Sequence, residues 1–141
     1  MTDCIFCRII NRELPASIVH EDDHIIAFMD IQPVNPGHIL VVPKIHQVFI
    51  SELDENLTSR MFNMASRINR AIRKSEVQCE GINYFLADGE AAGQEVFHTH
   101  LHVFPRFTND GFGLRFDESY HSLPKRDELD ELCENIRSLL K

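Results

Sequence analysis

The sequence predicts an α+β fold: a mainly antiparallel five-stranded sheet with one long helix and a C-terminal helix. Three observations lead there. Short β-branched runs recur with connections mostly too brief to hold the crossover helices that parallel neighbours require. One long central segment carries apolar residues at helical spacing, and a second such stripe comes only after the last strand signal.

Taken in order, Cys4 to Asn11 has the pattern of one or two helical turns. Ser17 to His20 and His24 to Asp30 read as short strands around the acidic turn Glu21-Asp22-Asp23. Gln32 to Gly37 is a loop of turn residues feeding His38 to Val42, a strand that Pro43 ends. Leu53, Leu57, Met61, Met64, Ile68 and Ile72 form the stripe of the long helix. Ser51, with Asp54 three residues on, suits its N-terminal cap, and Glu52 and Glu55 suit the positive end of its dipole. Strand signals return at Ile82 to Leu86 and Val96 to Phe104, separated by the loop Ala87 to Glu95. Beyond Pro105 the chain turns irregular, until Leu129, Leu132, Ile136 and Leu139 mark a helix that is acidic at its start and basic at its end. With no repeat and no Gly/Ser-rich linker, the expectation is a single domain over residues 1–141, with a core at 4–107 and a C-terminal extension at 108–141.

Charge and composition narrow the partners. A net charge of -8 argues against a nucleic-acid surface, which needs clustered Lys and Arg, but leaves room for a small phosphorylated ligand. No apolar run approaches the roughly 20 residues of a membrane span. The start, Met1-Thr2-Asp3-Cys4, lacks a basic and then apolar signal, so a cytoplasmic protein with no membrane partner is expected. The four cysteines do not suggest a disulfide scaffold in that setting. Cys79 and Cys133 read as small apolar residues, whereas Cys4 and Cys7, spaced C-x-x-C, can offer two thiolates to a zinc ion that needs two further ligands.

The densest chemistry lies in His98-Thr99-His100-Leu101-His102. Strand alternation would bring the three imidazoles out on one face. One reading is a metal site, although His98 and His102 would stand about 13 Å apart at Cα on a straight strand. The other makes the central His100 a nucleophile. A neutral imidazole needs no separate base near pH 7, and its neighbours can fix its tautomer and donate hydrogen bonds to phosphate oxygens.

This segment resembles the histidine-triad (HIT) family. The likeness is carried by His98-x-His100-x-His102, by Ala92-Gly93-Gln94 before it and by Pro105-Arg106 after it. Cys4 to Ile10, Ala27 to Ile31, Pro36-Gly37-His38 and Val41 to Lys44 follow the family's order, so the similarity covers Cys4 to Phe107. The resemblance implies a dimerising antiparallel-sheet fold and a purine nucleotide conjugate, such as an adenosine phosphoramidate or a dinucleoside polyphosphate, cleaved at its α-phosphate through a nucleotidyl-histidine. His100 matches the nucleophile, His102 the phosphate-contacting histidine, and His98 and His38 its supports. Asp30 matches the acidic residue on the ribose, with Ile31 beside the base, while Gln94 and the backbone after it, through Glu95 and Val96, match the phosphate loop. In some relatives two histidines complete a structural zinc site at the positions of His46 and His98, beside Cys4 and Cys7. Two departures stand out: Ala87 replaces an amide, and Glu95 replaces a small hydroxyl that assists the leaving group. They keep open a slow or non-catalytic purine-nucleotide-binding regulatory protein.

Overall fold

A computed structural model describes residues 3–141, which fall into two compact units, one ending at Asp110 and the other Gly111–Lys141. The first unit contains helix α1 (Ile5–Ile10), strands β1 (Ile18–Glu21), β2 (Ile25–Met29) and β3 (Ile39–Pro43), helix α2 (Glu55–Lys74), and strands β4 (Gly81–Phe85) and β5 (Leu101–Arg106). The strands form one antiparallel sheet in the order β1-β2-β3-β5-β4. The expected sheet is therefore present.

Alternation along β2 and β3 divides the core into two. Ile25, Ala27, Ile39 and Val41 join Leu101 and Val103 on the face covered by Met61, Met64, Ala65, Ile68 and Ile72 of α2. Ile26, Phe28, Leu40 and Val42 face the other way, against Phe6 and Ile9 of α1. Central strands buried on both faces read as unbroken apolar runs, as these do.

Most strand ends differ from the sequence expectation by a residue or two, and three boundaries bear on the frame of the site. Helix α2 is capped by Asp54, whose carboxylate accepts from Leu57 N–H at 2.7 Å, while Ser51 lies in a separate 3-10 turn, Ile50–Glu52. Pro43 is the last residue of β3, opposite Ile25, and not a residue beyond it. Strand β5 begins at Leu101, so Val96 to His100 is outside the ladder. Groups in this stretch are held by other partners: Thr99 N–H donates to Gln47 O, and the Gln94 amide donates to Val48 O and Val96 O.

In the second unit, α3 (Arg126–Leu139) carries Asp127 and Glu128 in its first turn and Arg137 in its last. Its stripe of Leu129, Leu132, Ile136 and Leu139 is exposed. Among the described residues no helix is long and apolar enough to cross a membrane.

Candidate active site

His100 sits at the base of a cleft of about 550 Å³ beside His102. Phe6, Ile9, Phe28 and Leu40 make its apolar wall, Asp30 and Ile31 its rim, and Gly93, Glu95 and Val96 the opposite lip. Ile31 is 94% exposed, so its side chain edges the cleft and is not packed beneath it. The apolar wall was hidden in the sequence inside ordinary core patterns. The amphipathic turn at Phe6 and Ile9 was its one local signal.

The hydrogen bonds fix the proton positions. His100 Nδ1 lies 2.7 Å from the His98 carbonyl oxygen, which can only accept. Nδ1 therefore carries the hydrogen, and Nε2 keeps its lone pair. Burial pushes the His100 pKa below its ordinary value, against the opposing pull of the His98 carbonyl and the Asp30 charge, so the ring is neutral at pH 7.

A second chain of bonds runs through His38. Val34 N–H donates to His38 Nδ1 at 3.0 Å, which leaves the His38 hydrogen on Nε2, 2.9 Å from His102 Nδ1. His102 must then carry its own hydrogen on Nε2. Asp30 Oδ2 lies 3.5 Å from His38 Nε2, and Asp30 Oδ1 accepts from Gln32 N–H. Burial lowers His38 and brings His102 down to about 4, with the neighbouring histidines adding to the effect at His102. Asp30, His38 and His102 are close enough to suggest a metal set, but the His38 and His102 nitrogens facing each other are already joined by a hydrogen bond.

The expectation of three rings on one face needs correction. His100 and His102 share the cleft (ring centroids 4.8 Å apart), but the His98 ring turns toward the N-terminal cysteines, held there by the bond from its Nε2 to Pro43 O. It is the His98 carbonyl that orients His100. Gln94 also departs from its expected place: its side chain is buried, accepting from Gly89 N–H and donating to Val48 O, so it braces the loop while Gly93, Glu95 and Val96 line the cleft.

The cysteine pair does find two histidines. His98 Nε2 donates to Pro43 O at 2.8 Å, freeing Nδ1 to face Cys4 Sγ at 3.4 Å, Cys7 Sγ at 3.6 Å and His46 Nδ1 at 3.2 Å. Cys7 Sγ is 3.3 Å from His46 Nδ1. Tetrahedral zinc with bonds of about 2.0 Å to nitrogen and 2.3 Å to sulfur has ligand–ligand edges of roughly 3.3–3.8 Å. These four separations match those edges, and all four donor atoms lie within 4.8 Å of one another. A metal-binding histidine commonly donates its other N–H to a carbonyl, as His98 does.

Comparison with known proteins agrees with this geometry. The HIT domain family model matches residues 11–109. An uncharacterised HIT-like protein of Borreliella burgdorferi is 48% identical over 82% of this chain and 84% of its own. The adenylylsulfatase HINT3 of Arabidopsis thaliana is 33% identical over 96% of this chain and 68% of its own. A HIT-family crystal structure from Bacillus subtilis matches with a TM-score of 0.89 at 38% identity, covering 99% of both chains. A zinc-bound histidine-triad protein from Mycobacterium smegmatis matches with a TM-score of 0.75 at 35% identity, covering 98% of both. The chain belongs to the HIT family, within a superfamily of nucleotide-binding hydrolases and transferases.

Proposed function

We propose that this protein cleaves a purine nucleotide conjugate, an adenosine phosphoramidate or a dinucleoside polyphosphate, at its α-phosphate through a nucleotidyl intermediate on His100. The observation that carries the reading is the 2.7 Å bond from His100 Nδ1 to the His98 carbonyl, which leaves the Nε2 lone pair available in the cleft. The base lies along Phe6, Phe28 and Leu40 beside Ile31, with the ribose hydroxyls near Asp30. Nε2 attacks phosphorus, and the bond to the leaving group breaks with its electron pair. An amine leaving group also takes a proton from solvent. The ring becomes cationic while its Nδ1–H stays on the His98 carbonyl, a favourable acceptor for a charged donor. His102 Nε2–H donates to a phosphoryl oxygen as charge gathers there. Water then attacks phosphorus and gives up a proton to solvent, the N–P bond returns its pair to His100, and the mononucleotide leaves. The Gly93, Glu95 and Val96 lip adjoins the phosphate, and Gln94 holds that lip in shape.

Cys4, Cys7, His46 and His98 would hold a structural zinc, whose contribution is to tie the N-terminal turn to the catalytic segment and add folding free energy. A homodimer is supported by the unpaired edge of β4, where Tyr84 and Phe85 stand exposed, and by exposed Phe62 on α2. A cytoplasmic setting is supported by Cys4 and Cys7 standing as thiols beside His46 and His98, a reduced state that an oxidising compartment does not favour.

His100→Ala is expected to abolish turnover of adenosine phosphoramidates while nucleotide binding survives. Turnover at the parent rate would defeat the mechanism. The exposed Glu95 and apolar Ala87 favour one second reading, a slow nucleotide-binding regulator. That reading predicts no covalent species on His100.

A further inference from the structure

Past Glu95 the nucleotide cleft adjoins a second one of about 450 Å³, the two sharing Ile5, Glu95 and Val96. Half-exposed Ile5 and Phe97 line the second cleft beside Val48, and Asp3 stands at its edge. Among the described lining residues neither cleft has a Lys or Arg. The charged side chains of the first are Asp30 and Glu95, and those of the second are Asp3 and Glu95. Glu95 and Asp3 are both exposed.

We propose that this second cleft seats the leaving group and selects a cationic amine on an apolar stem, with Glu95 as the specificity-determining residue and Asp3 beyond it. The inference rests on nucleotidyl transfer to His100 and names the substrate class of that site. A polyphosphate leaving group would bring several negative charges against two carboxylates with no Lys or Arg among the described lining residues to offset them. Cys4 and His46, which also line the second cleft, belong to the zinc set, whose two thiolates would cancel the charge of the ion. An amine joined to phosphorus at one end and bearing an ammonium at the other meets the reverse situation. Its methylenes lie over Ile5 and Phe97, and its head reaches the carboxylates while remaining in water. The carboxylate at position 95, unexpected beside a phosphate, then acts on the leaving group and not on the phosphoryl oxygens.

The test uses two adenosine 5′-phosphoramidates of equal length, made from 1,6-diaminohexane and from 6-aminohexanoate, which differ in the charge at the far end. Binding is measured calorimetrically on His100→Ala, where no turnover interferes, and kcat/KM on the chain with His100 intact. The ammonium probe should bind about tenfold better, a few-fold from each of attraction and repulsion at an exposed carboxylate. The preference should shrink to about twofold in Glu95→Gln, reverse in Glu95→Lys, and fade in high salt. Equal binding of the two probes, or a preference that Glu95→Gln leaves unchanged, overturns the assignment. Turnover without any charge preference overturns this inference alone. A preference in binding with no turnover of either probe overturns the transfer chemistry, and the leaving-group role with it.

Discussion

Acidification perturbs the histidine cluster as a whole, and its effect can be worked out from His102. The ring titrates at about 4 in the fold against an ordinary 6.5, chiefly because burial penalises the imidazolium and secondly because His100 and His38 stand beside it. Between those two values the unfolded chain binds more protons than the folded one, so stability rises with pH across that window. It is fully present above about 6.5 and lost as pH falls through about 4. At 1.36 kcal/mol per pKa unit the gap corresponds to about 3 kcal/mol for a fully shielded ring. His102 is partly exposed, and solvent screening brings this to about 1–2 kcal/mol. Buried His38, also lowered, adds in the same direction. Urea unfolding at pH 7 and at pH 4.5, on the parent and on His102→Asn, measures the contribution. The parent should lose about 1–2 kcal/mol more than the variant. Equal losses would mean that His102 is not held neutral by its surroundings, and the tautomer chain from Val34 through His38 would lose its support.

Other consequences concern the frame around the site. Phe6 is buried with its ring edge-on to Phe28, His98 and His100, so Phe6→Ala should cost about 3–5 kcal/mol and lower Tm by roughly 10 °C or more; a shift under about 3 °C would contradict its place in the core. Gly37 has φ +99, and a Cβ there would come within 2.9 Å of Val77 Cγ1; Gly37→Ala should destabilise by about 1–3 kcal/mol in denaturant titration and weaken nucleotide binding by shifting His38, while full stability would refute that strain. Gently purified protein should contain about one zinc per chain by elemental analysis, and Cys7→Ser should lose it together with thermal stability. A metal-free parent as stable as the loaded one would refute the structural role.

Much of this architecture was legible because periodicity and burial agree. The two-face alternation of Ile25 to Phe28 and of Ile39 to Val42 follows from the β period, and the stripe from Met61 to Ile72 from the α period. The helix start was misread because Ser51 and Asp54 are both capping residues, and the choice depended on Leu53 lying against the core before the helix begins. The histidine segment was harder. Alternation describes a strand, but whether His98 belongs to one depends on long-range partners, Gln47, Pro43 and the cysteines, that local sequence does not display. The same holds for Gln94, whose buried amide answers to Gly89 and Val48. Residue chemistry identified His100 as the central group; only the fold shows that a backbone carbonyl, and not a flanking ring, sets its tautomer.

The account stands most directly on whether His100 carries the nucleotide during turnover. Stoichiometric enzyme mixed with an adenosine phosphoramidate, quenched in alkali within the first turnover and digested for mass spectrometry, should yield an adenylylated peptide with the modification on His100, rising and decaying ahead of free mononucleotide. Product formation with no such species, or an adduct on another residue, would contradict it.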